Sequence, residues 1–206
     1  MNKQITIKTI ALIIAISWLV KPNSVFAQKE KGDIVVTGGA SFSLVGLLAN
    51  LAKESVNTSG SSASISVTPG MNVMLDYGVA KVFSLGVAAS YQSLTSKYSD
   101  YYDDNGYYFV GNFKTTISRT NIGVRPLFHF GGTSENLDMY AGGRISYTLW
   151  SVTGDNTGEF INQFNSRPTF QALVGMRYFF TQNIGFNLEG AIGSPYYAMM
   201  GLNLKF

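Results

Sequence analysis

One pattern constrains this chain more than any other. From Gly32 to Phe206 apolar and polar side chains alternate with a period of two, and the alternation returns eight times. That is the period of a β-strand, whose successive side chains point to opposite faces. Ile34, Val36, Gly38, Ala40, Phe42 and Leu44 form the first apolar set. Every second residue of Ile65–Tyr77, Phe83–Tyr91, Thr120–Phe128, Met139–Leu149, Phe170–Phe180, Ile184–Ile192 and Ala198–Phe206 supplies the rest. No window sustains a helical period, so the pattern predicts an all-β fold of eight strands. Pro69 and Pro126 fall inside predicted strands, where each removes a ladder donor, and a bulge is expected at both.

The apolar sets carry no charge, whereas Asp76, Arg119, Arg125, Asp138, Arg144, Arg177, Glu189 and Lys205 all fall in the opposite sets. Alternation alone does not say which face meets water, because a soluble lipocalin-like barrel with an apolar interior has the same period. Three features favour a polar interior. Gly39, Gly70, Gly86, Gly123, Gly142, Gly175, Gly185 and Gly201 stud the polar face. Glycine weakens a solvent-facing strand, but it makes room beside large charged side chains inside a narrow barrel. The apolar face ends in Tyr77, Phe83, Phe128, Phe180 and Phe206 at one end, as a membrane-interface girdle does. The connections also alternate: Leu44–Ser64, Ser93–Lys114 and Leu149–Arg167 are long and polar, while Tyr77–Val82, Phe130–Leu137 and Phe180–Ile184 are tight.

The first residues read as an export signal. Two lysines precede an apolar run from Thr9 to Val20, and a polar stretch from Lys21 ends in Val25-Phe26-Ala27. The run is shorter than the roughly 20 residues of a membrane-spanning helix. The predicted division is a signal peptide over 1–27 and a barrel domain over 28–206. No cysteine follows the run, which excludes a lipid-anchored lipoprotein, a disulfide framework and a thiolate metal site. The net charge of +3 comes from Lys3, Lys8 and Lys21; without them 15 − 3 = 12 basic groups face 12 acidic ones. A neutral domain has no electrostatic footprint for nucleic acid.

In strand number, charge placement and loop alternation the chain resembles the small eight-stranded outer-membrane barrels of Gram-negative bacteria, the type of OmpX and the OmpA membrane domain. The resemblance covers the whole predicted mature chain. It implies an eight-stranded antiparallel up-and-down transmembrane β-barrel in contact with outer-membrane lipid and lipopolysaccharide. The ending Met200, Leu202, Leu204, Phe206 looks like the signal read by the outer-membrane assembly machinery, with Phe206 its terminal residue.

Few groups could do chemistry. His129 is the one histidine, placed inside beside a short turn. A catalytic base needs a nucleophile or carboxylate within reach and access to substrate, and lipid A deacylases and palmitoyl transferases of similar architecture work near the outer leaflet, at the opposite end. A structural role is therefore expected. Glu189, Arg125, Arg144, Arg177, Asp76, Asp138 and Lys205 are expected to form an interior charge network, since buried charges must be paired. Asp100, Asp103, Asp104 and Asn105 could coordinate calcium but lack the ligand spacing of a calcium loop. Asn105-Gly106 is instead a two-residue hairpin signal. It makes opposite residues sum to 211, setting Phe83 opposite Phe128, and builds a ribbon rich in Tyr98, Tyr101, Tyr102, Tyr107 and Tyr108 that stands above the membrane. Leu44–Ala52 could form helical turns or an apolar loop over the mouth, and the sequon at Asn57 carries no weight in a bacterial export context. No catalytic residue, cofactor or metal is expected. The expected function is a non-enzymatic surface or structural barrel whose loops meet an external partner; a narrow channel or carrier for small apolar molecules is the alternative, and an outer-leaflet enzyme the third.

Overall fold

The computed structural model describes residues 31–43, 63–104, 107–130, 136–154 and 165–206, and of Ala63 and residues 98–112 only the backbone. The predicted signal segment, Leu44–Ala52 and Asn57 lie outside the described residues, as do the side chains of the ribbon tyrosines and of Asp100, Asp103, Asp104 and Asn105.

Nine strands follow in order: β1 (Ile34–Phe42), β2 (Ala63–Val67), β3 (Gly70–Ala80), β4 (Phe83–Asp104), β5 (Tyr107–Phe130), β6 (Leu137–Gly154), β7 (Arg167–Phe179), β8 (Ile184–Gly193) and β9 (Ala198–Lys205). All pairings are antiparallel, and β1 pairs with both β3 and β9, which closes the sheet. β2 and β3 pair in succession with β4 and are two parts of one wall strand, so the barrel has eight. Carried through all the registers, a residue on β1 returns to β1 ten positions along. Eight strands enclose an interior just wide enough for side chains.

The two prolines behave differently. Val67 pairs with Leu94 and Met71 with Tyr91, so three residues of the β2–β3 strand oppose two of β4. That is a bulge at Pro69, sealed by Thr68, whose amide donates to the Ser93 carbonyl at 2.9 Å and whose hydroxyl accepts from the Ser93 amide at 2.8 Å. No bulge exists at Pro126. It pairs in register with Leu85, and on its other side the β5–β6 ladder passes from Val124↔Ile145 to Leu127↔Gly142 without a shift. The missing donor interrupts one ladder locally, and the intact register on both flanks holds the strand in place.

The two faces have opposite chemistry. Val174 is 62% exposed on the outside while Arg125, Arg177 and Asp76 are at 0% inside. A soluble barrel reverses this, so the lipocalin-like alternative is excluded. The outer face carries Tyr77, Phe128, Phe180 and Phe206 at the short-turn end, and Phe83 meets Phe128 at 5.1 Å between ring centroids. It also carries a second ring the sequence pattern did not suggest: Phe42, Tyr91, Tyr147, Phe170 and Tyr197 toward the long-loop end. Two aromatic girdles around an apolar band are the surface a lipid bilayer requires of a barrel.

Candidate functional site in the barrel lumen

The inward residues of β3, β5, β6, β7 and β8 converge on one cluster. Asp76 on β3 receives two arginines: Arg125 of β5, with Nε 3.3 Å from its Oδ1, and Arg177 of β7, whose Nη2 meets Oδ2. Arg125 also donates from Nη2 to Glu189 Oε2 on β8 at 2.7 Å, and Arg177 Nη1 lies 3.6 Å from Asp138 Oδ2 on β6. Three carboxylates thus share two guanidiniums in a space closed off from bulk solvent, where pairing of this kind makes buried ions tolerable.

Two tyrosines complete the cluster. Tyr140 on β6 donates its hydroxyl to Glu189 Oε2 at 2.8 Å, and its ring lies under the Arg177 guanidinium at 4.7 Å. Tyr196 comes from the β8–β9 connection, turns into the lumen and donates to Glu189 Oε1 at 2.5 Å. The turn around it is pinned twice more, by Gln171 Nε2 to the Tyr196 carbonyl at 2.7 Å and by Arg119 Nη2 to the Pro195 carbonyl at 2.6 Å. Met74, Ala88 and Met199 pack against the buried tyrosine. The lumen is therefore filled from the ion cluster up to this inturned connection.

Of the other two residues expected in the network, Arg144 reaches its edge beside Tyr196, and Lys205 stands apart from it. Arg144 is buried, but among the described residues it meets no carboxylate; its Nη2 donates to the Ala88 and Asn121 carbonyls, each at 3.3 Å. Lys205 sits at the short-turn rim, partly exposed, with Nζ 2.9 Å from Asp33 Oδ2. At the short-turn end of β9 it pairs with Asp33, just before β1, instead of reaching the core.

No family model matches this chain, and no curated protein sequence does. Solved structures do. The outer membrane protein OprG from Pseudomonas aeruginosa superposes with a TM-score of 0.52 at 14% identity, over 87% of this chain and 99% of that one. A de novo designed transmembrane β-barrel gives 0.46 at 12% identity, over 88% and 100%. Ail, the attachment invasion locus protein of Yersinia pestis, gives 0.41 at 10% identity, over 85% and 99%. The chain has the fold of the small outer-membrane barrels.

Within this outer-membrane-type barrel His129 occupies a row of three. Its Nδ1 is 2.7 Å from Asp138 Oδ1 and its Nε2 2.8 Å from Ser84 Oγ. The order acid, imidazole, hydroxyl is that of a hydrolase. A nucleophile must meet its substrate, however, and Ser84 is 0% exposed. The row instead ties β4, β5 and β6 together at the short-turn end.

The interior glycines are spacers for these groups. A Cβ on Gly86 would collide with Asp76 and with the Arg125 side chain, and one on Gly175 with the Tyr140 ring. Gly175→Ala is therefore expected to lower the urea unfolding midpoint by the equivalent of about 1 to 3 kcal/mol, the usual cost of overpacking. Gly190→Ala, whose Cβ would point into open space, is the neutral control. Equal midpoints for the two variants would mean that Tyr140 has room to move.

Proposed function

We propose that this protein is a non-enzymatic integral barrel of the outer membrane that carries its long-loop end outside the cell and presents it to an external partner. The observation that supports this reading is the lumen: its ion cluster and the inturned Tyr196 connection favour a rigid stalk over a pore. The β4–β5 hairpin supports the presenting role. Its backbone pairs from Phe83↔Phe128 up to Asp104↔Tyr107 without a slip. At 22 and 24 residues these strands are about twice the 9 to 11 needed to cross a bilayer. The excess stands clear of the outer aromatic ring as a two-stranded ribbon, a form that offers exposed edges for strand addition. The Tyr98, Tyr101, Tyr102, Tyr107 and Tyr108 positions on it would supply aromatic contacts. Lipid and lipopolysaccharide would surround the apolar belt. The assembly machinery would read β9 through Phe206, and export by a cleaved segment over 1–27 belongs to the same reading.

Planar-bilayer recording tests it. The purified barrel is expected to stay electrically silent, and Tyr196→Gly, which withdraws the side chain from Glu189, to add at most brief openings. Steady conductance of the unmodified protein would favour the channel reading, and modification of lipid A or phospholipid by it would favour the enzymatic one. Replacing Lys97–Gly111 with a short turn is expected to leave a heat-resistant folded barrel that is no longer cut at the ribbon when intact cells meet chymotrypsin, which cleaves after its tyrosines. A variant that fails to fold would make the ribbon part of the barrel's core.

A further inference from the structure

We infer that the free edge of β5 in the ribbon is a docking surface for the same edge of a second copy of this chain, standing on a facing membrane. This rests on the presenting role proposed above and names the partner. The wall covers the flanks of the ribbon only part of the way. Among the described residues β2 pairs with β4 up to Tyr98, and β6 pairs with β5 up to Thr115. Beyond them, among the described residues, 99–104 and 107–112 pair only with each other. The two edges differ in chemistry. Residues 99–104 include Asp100, Asp103 and Asp104, and charge on an edge strand is what keeps other strands away. Residues 107–112, Tyr-Tyr-Phe-Val-Gly-Asn, have no charge, no proline and a composition rich in strand formers. Of the two, β5 is the edge fit to accept a strand.

Hydrogen-bond parity selects the partner. Asp104 and Tyr107 flank the two-residue turn as a bonded pair, so the β5 residues that bond β4 near the tip are Tyr107, Phe109 and Gly111. The backbone N–H and C=O of Tyr108, Val110 and Asn112 point the other way. Pro126 agrees with this parity, since its missing N–H falls on the β6 side, where the ladder is interrupted. A second β5 laid antiparallel about Val110 sets Val110 opposite Val110 and Tyr108 opposite Asn112. Every one of these outward groups then meets its match in the other copy. The same register sets Phe109 opposite Gly111 on both sides of the twofold, and an aromatic residue shields the glycine it faces. Antiparallel pairing also fixes where the second copy stands. Copies in one membrane have their β5 strands running the same way, so this isologous contact forms only between ribbons of facing membranes. One such contact is weak, and many copies on each surface multiply it. The function it gives the ribbon is self-recognition between cells.

The test uses cells that display the whole protein and whose lipopolysaccharide lacks its long polysaccharide, in two populations of different fluorescence. Displaying cells are expected to cluster with one another and to leave non-displaying cells out. Val110→Lys and Val110→Glu each set like charge against like charge across the twofold, and each is expected to abolish clustering. Mixed together, those two populations are expected to cluster again. Tyr101→Pro and Val110→Pro lie on the same rung and remove an outward donor from the β4 and the β5 edge respectively, and only the second is expected to abolish clustering. Cleavage of the ribbon by chymotrypsin on intact cells reports display, and its absence from the unmodified protein would overturn the presenting role itself. Displayed protein that does not cluster, clusters that recruit non-displaying cells, Lys and Glu populations that fail to join, or equal loss in both proline variants would overturn the self-pairing alone.

Discussion

Asp76→Asn is expected to be among the most damaging single substitutions in this barrel, lowering its unfolding free energy by about 3 to 5 kcal/mol, the range for breaking a buried ion pair from one side. The side chain is fully enclosed and holds Arg125 and Arg177 at once. Asparagine keeps the shape and removes the charge, so each arginine falls back on its second carboxylate, Glu189 for one and Asp138 for the other. Three buried cations, with Arg144, then face two buried anions. Urea titration in detergent micelles measures the loss. Adding Arg177→Met to Asp76→Asn is expected to restore part of it, because the second change removes a charge that the first left undercompensated. A double variant no better than the sum of its parts would mean that water reaches Arg177 and that the cluster is not dry.

The second large effect concerns the opposite face. Val174→Arg is expected to impair membrane insertion, at about 2 to 4 kcal/mol for a cation near the bilayer midplane. Val174 is 62% exposed on the outer face and lies between the two aromatic rings on β7, with Ala141 and Gly190 as its lateral neighbours. None of these offers an acid or a polar group, and midway up the belt the side chain is far from either interface. Gln92→Arg, on an inward position at the upper end, is the milder comparison. Folding yield into lipid vesicles, read as the heat-resistant band on a gel, ranks the two, and equal yields would place the apolar face in water.

Much of this architecture was legible in the sequence because a strand's period is exact. Once Asn105-Gly106 fixed one turn, the register down to Phe83↔Phe128 followed by counting, and the backbone pairs that way. The absence of charge from one set of positions marked the outer face, and glycine on the other marked a crowded interior. Partners within the lumen were not legible. Asp76 and Arg177 are 101 residues apart and meet because the sheet is sheared and curved on itself, a property of the closed ring and not of any strand. Tyr196 lies in a connection, outside the alternation, so nothing in its spacing announced that it turns inward. Tyr140 did fall in the inward set, and its aromatic character hid the polar use of its hydroxyl. Lys205 had the inward parity but too little depth, since parity gives a direction and says nothing of distance from the mouth. Pro126 misled for a different reason: a proline removes a donor, and a ladder well paired on both sides of the gap tolerates that without slipping.

The seam between β1 and β9 has a consequence for how the molecule comes into being. Ile34 and Phe206 exchange both backbone hydrogen bonds, at 3.1 and 2.9 Å, and Val36 pairs with Leu204. A sheet of β1 to β8 without β9 would keep two raw edges and a greasy outer surface, the form most prone to join other chains. Closure couples the first strand to the last, so the contact of longest sequence separation is also the one that removes both edges in a single event, which makes folding slow and late. The strands must therefore be kept from pairing with other chains until all of them can close together, and a holding factor is expected to accompany the chain until its barrel forms.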